Sequence, residues 1–95
     1  MDRSAFLASL DDAQPPQDLP AHLQALWWLP RGELDRAHRL VQPLADAGAA
    51  AIHAHLHRLE GDLDNARYWY RRAGMAPFAG SSPEEEWRQL VQRFV

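Results

Sequence analysis

AHLHRLEGDLDNARYWYRRA, residues 54–73, decides the fold, because the chain holds the same pattern a second time. Laid over ALWWLPRGELDRAHRLVQPL, residues 25–44, it aligns without gaps at a displacement of 29 positions. Ala54 falls on Ala25, Gly61 on Gly32, Leu63 on Leu34, Asp64 on Asp35 and Ala66 on Ala37, with Asp62 over Glu33. Each copy reads as a helix, a tight turn at glycine and a second helix. A duplicated unit of this kind points to a solenoid-type array, in which each hairpin buries its apolar face against the next.

The flanking sequence supports the same architecture. Helical spacing predicts a first helix over residues 3–10, with Phe6, Leu7 and Leu10 on one face. Pro15 and Pro16 break the chain. Asp18 is then expected to cap a helix over about 19–29, with Pro20 in its first turn. A third helix over about 33–42 meets Pro43, a fourth runs from about 47 to 60 behind Asp46 and ends at Gly61, and a fifth runs from about 63 to 73 behind Asp62 and ends at Gly74. Pro77 and Gly80 keep the following stretch irregular. Ser82-Pro83-Glu84-Glu85 is a capping box that opens a sixth helix to residue 94, whose stripe of Trp87, Leu90, Val91 and Phe94 is a packing face.

Isoleucine occurs once and threonine never, so no segment favours a strand. The expected fold is therefore all-α: an array of antiparallel helical hairpins with about six helices. At 95 residues the chain forms one domain, residues 1–95, with a repeat core over about 19–76 and a C-terminal packing helix over about 83–94.

Composition removes several functions. There is no cysteine, hence no disulfide, thiolate zinc site or cysteine nucleophile. No apolar run reaches the roughly 18 residues of a membrane span, and the opening MDRSAFLASLDD lacks the pattern of an export signal, so a cytoplasmic protein is expected. All ten basic residues are arginine, yet the net charge of −3 argues against nucleic acid as a partner.

The G-[ED]-L-D-x-A pattern, with Ala54, Ala66, Tyr70 and Ala73 in the second unit, resembles the tetratricopeptide repeat. Residues 53–74, HAHLHRLEGDLDNARYWYRRAG, are also similar to a signature of small microbial proteins without established activity, H-A-x-L-H-R-x-E-G-D-x-x-N-A-x-Y-W-Y-R-R-A-G. The first resemblance implies that His22, His55 and Arg58 line a concave face of the kind that holds extended peptides. The second implies a location and no chemistry.

On the fourth helix, Ile52, Leu56 and Leu59 form an apolar stripe. About 100° round lie His53, His57 and Glu60, and across from these Ala51, His55 and Arg58, so the H-x-H-x-H run is split between faces. His53, His57 and Glu60 have the spacing of a two-histidine, one-carboxylate metal site. The plainer alternative places both imidazoles in the seam between helices, donating to carbonyls or to Asp35 or Asp64. On the fifth helix, Tyr68, Arg71 and Arg72 make an aromatic and arginine surface of the type protein interfaces favour. Its plainer alternative makes Tyr70 and Trp69 core and pairs the arginines with Asp64 and the run Glu84-Glu85-Glu86.

For catalysis no nucleophile elbow, phosphate loop or dinucleotide motif is present, and Ser4, Ser9, Ser81 and Ser82 sit near expected helix starts or loops, where capping accounts for them. The sequence thus predicts a module that binds a protein or peptide through His22, His55, Arg58, Tyr68, Arg71 and Arg72, with open repeat edges that also suit self-association. The alternative is a metal- or small-ligand-binding domain, enzymatic or not, centred on His53, His57 and Glu60.

Overall fold

The computed structural model describes residues 1–77 and 82–95. Among the described residues six helices form: α1 (Arg3–Ser9), α2 (Ala21–Trp28), α3 (Leu34–Val41), α4 (Ala47–Leu59), α5 (Leu63–Arg72) and α6 (Pro83–Phe94), with a 3-10 turn over Leu29–Arg31 between α2 and α3. No strand occurs among the described residues, and no helix there is long and apolar enough to cross a membrane. The irregular stretch expected around Gly80, and Ser81 with it, lies outside the described residues.

The caps are local chemistry. Asp46, Asp62 and Ser82 each accept a backbone N–H from the third residue of the helix that follows, at Ala49, Asn65 and Glu85. Gly32 and Gly61 close α2's 3-10 turn and α4 in the left-handed conformation, φ 76° and 78°. Both turns make the same pair of bonds. Gly32 N–H donates to the Leu29 carbonyl and Glu33 N–H to Trp28, as Gly61 donates to Arg58 and Asp62 to His57.

Asp18 corrects the sequence reading. It adopts φ 67°, a left-handed turn conformation that aspartate tolerates, and α2 starts behind Pro20 with no side-chain cap. Ser9 also departs from the capping expectation. At the end of α1 its Oγ donates to the Phe6 carbonyl and accepts from Trp27 Nε1 at 3.2 Å, which binds α1 to α2.

α4 is the central helix. Every residue from Gly48 to Leu56 is buried, and the neighbours are α2, α3, α5 and α6. The reason is size: Ala49, Ala50, Ala51 and Ala54 let surrounding helices approach closely, while Ile52 and Leu56 fill the space toward Leu23, Leu26, Trp27, Val41, Leu90 and Val91. Gly48 carries this furthest, since a Cβ there would lie 2.7 Å from the Phe94 ring of α6. Each fully buried large side chain contributes about 1.5–3 kcal/mol.

α6 folds back over α2 and α4. Leu90 and Val91 point inward, Trp87 and Phe94 pack at the margins, and Trp87 Nε1 donates to the Leu26 carbonyl at 2.8 Å. In a continuous helix that carbonyl would take the N–H of residue 30, but residue 30 is proline and has none. The indole supplies the missing donor.

Candidate functional site

The three histidines of α4 divide as their spacing predicts. His55 turns to α6, where its Nδ1 lies 2.6 Å from Glu86 Oε1. Arg58 Nη1 reaches the same oxygen at 3.3 Å, and the Tyr70 hydroxyl donates to Glu86 Oε2. Glu86 and His55 are each 1% exposed. Burial alone would push the Glu86 carboxyl up, but hydrogen bonds from His55 and Tyr70, with the charges of His55 and Arg58, outweigh it and hold the group below the usual carboxylate range. Burial and the bond to Glu86 push the Tyr70 phenol up.

His22 lies on the same side, its Nε2 2.8 Å from Asp46 Oδ2 and its ring stacked on Phe94 at 4.7 Å. Thus His22, His55 and Arg58 lie on the side of the fold that α6 covers. Tyr68, Arg71 and Arg72 stand apart on the exposed side of α5, where Arg72 Nη1 donates to the Tyr68 hydroxyl at 3.0 Å and its guanidinium lies 5.3 Å from the Trp69 ring centre. Arg67 pairs with Asp64 at 2.9 Å on the same exposed surface.

His53 and His57 turn into the seam between α3 and α5. His53 is 2% exposed and stacks on Trp69, ring centres 4.0 Å apart and planes within 11°. The third group that joins them is His38 on α3, whose ring meets His53 edge-on at 5.0 Å and His57 at 6.1 Å. One ligand-type nitrogen from each of the three lies within 4.8 Å of the other two. Glu60, the expected carboxylate, stands at the rim with Oε1 3.8 Å from His57 Nδ1, and Asp35 and Asp64 are exposed. His53 Nδ1 and His57 Nδ1 are buried with no hydrogen-bond partner. Burial first, then His38, holds the His53 ring down to about 4 against a hydrogen bond to the Val41 backbone, which raises it; His57 and Arg72 add to the lowering.

Two clefts open beside α6. The larger, of about 340 Å³, is lined by Leu10, Leu29, Pro30, His55, Leu59, Pro83, Glu84, Trp87 and Arg88. The smaller, of about 220 Å³, is lined by Arg3, Leu7, Trp87, Arg88 and Val91. They share Trp87 and Arg88. Neither Arg88 nor Arg3 forms an ion pair among the described residues. Sequence reasoning missed this surface because it read Trp87 as packing alone, and the α1 contribution depends on how the first helix docks.

Comparison with protein-family models, with curated proteins and with solved structures finds no match to this chain.

Proposed function

We propose that the protein is a tetratricopeptide-like helical-hairpin module that binds an extended segment of another protein beside α6. The observation that carries this reading is the pair of apolar clefts joined at Trp87 and Arg88. Together they give adjacent apolar seats that share Trp87 and Arg88, and binding sites in general combine such seats with a few fixed polar groups. Trp87 is held in place by its bond to Leu26, so the wall between the seats is rigid before a partner arrives. Arg3 and Arg88 select a segment that carries a carboxylate between its apolar residues, and Glu84 in the lining of the larger cleft disfavours a second one.

Of the residues singled out by sequence, His55 belongs to this surface as part of the cleft wall, oriented by Glu86. A display screen of random peptides against the full chain tests the reading. It should enrich sequences with an acidic residue flanked by aliphatic or aromatic ones, and Arg88→Glu should weaken the selected peptides about tenfold or more. No enrichment, or binding indifferent to Arg88→Glu and Leu59→Asp, would overturn it.

A further inference from the structure

We infer that His38, His53 and His57 form a site for a divalent late first-row transition ion, zinc or cobalt(II) in class, in the seam where α3, α4 and α5 meet. Three imidazoles from two helices converge there, with one nitrogen of each within 4.8 Å of the others. The second observation is independent of that convergence. His53 is 2% exposed, and its Nδ1 has no hydrogen-bond partner. A buried polar atom left without a partner costs about 1–3 kcal/mol, and a metal–nitrogen bond would satisfy this one. His57 Nδ1 is buried and unpartnered as well.

The chemistry of the donors selects the ion. An all-imidazole set suits zinc, copper, nickel and cobalt, and is a poor match for magnesium or calcium, which take oxygen ligands. A tetrahedral ion with bonds of about 2.0–2.1 Å holds its nitrogens roughly 3.3 Å apart, so the rings must draw together by about 1.5 Å at most. His53 is the fixed member, clamped face to face on Trp69. His38 and His57 are only partly buried and can turn toward it. Around the site, Arg72 opposes a cation, as its effect on His53 shows, while the Glu60 carboxylate beside His57 favours one. Three protein ligands leave a fourth position for water or a small anion.

The test uses the full chain, purified without an affinity tag and stripped with chelator, then titrated with cobalt(II) and zinc by calorimetry and visible absorption. The expected result is a single equivalent bound, cobalt bands of low-coordinate intensity, and a melting temperature raised by zinc. His38→Gln, at a partly buried position outside the hydrophobic core, should weaken binding tenfold or more, and His53→Gln should do the same if it folds. His22→Gln, outside the site, should leave binding unchanged. Absence of saturable binding, or a His38→Gln protein that binds as well as the wild type, would overturn the site. Equal loss in His22→Gln would also do so, because it would mean scattered surface imidazoles are responsible.

Discussion

His55 and His53 sit two residues apart on α4, each all but excluded from solvent, and their surroundings have little in common. His55 meets a carboxylate that also serves Arg58 and Tyr70, so the polar groups there are mutually satisfied. His53 meets an indole face, the His38 ring and the Val41 backbone, and its Nδ1 has no hydrogen-bond partner. The difference follows from which helix covers each side. α6 brings Glu86 inward on one flank, whereas α3 and α5 bring rings and no acid on the other. A buried network that is fully bonded fixes structure; a buried nitrogen without a partner is a place for something to bind.

The comparison breaks first at Glu86. Glu86→Ala should cost about 3–5 kcal/mol by urea denaturation, since it strands His55, Tyr70 and Arg58 around a hole. A loss below about 1 kcal/mol would mean that the network holds nothing together. Ala66→Leu comes next, at about 1–3 kcal/mol, because Ala66 is 3% exposed where α5 crosses α4 and the seam has no room for three more carbons. A neutral change in melting temperature would contradict that packing.

His53→Phe sharpens the contrast at smaller scale. In metal-free protein it should lie within about 1 kcal/mol of the wild type, because removal of the unpartnered Nδ1 and retention of the stack on Trp69 offset the loss of the ring's hydrogen bond to the Val41 backbone. His55→Phe, the matched change on the other flank, should be clearly worse. Acid provides the smallest test. The Glu86 pKa is lowered on folding, so the unfolded chain binds more protons, and stability present above about 4.5 is lost as pH falls through the lowered value. Glu86→Gln should flatten that acid limb of the stability curve.

Much of the fold was legible in the sequence, because its signals are local. Asp46, Asp62 and Ser82 cap helices through side chains that reach three residues on, and Gly61 and Gly74 end them by adopting positive φ. Asp18 misled because the same short side chain suits a left-handed turn as well as a cap. Two of the three clustered histidines were also visible, since His53 and His57 lie one turn apart on one helix. His38 was not, because its place beside them depends on how α3 docks against α4. Glu86 was read as one of three surface acids. Its position one turn before Leu90 on the buried stripe was the available signal, and the histidine it meets lies 31 residues away in the chain.

The division of α4 into a satisfied and an unsatisfied flank is tested most directly by imidazole nitrogen NMR on metal-free protein across an acid titration. The His53 ring should stay neutral until the pH approaches about 4, while His55 Nδ1 should show its hydrogen bond to Glu86. A His53 ring that protonates at its ordinary value of 6.5, with a proton held on both nitrogens in the folded state, would contradict the account.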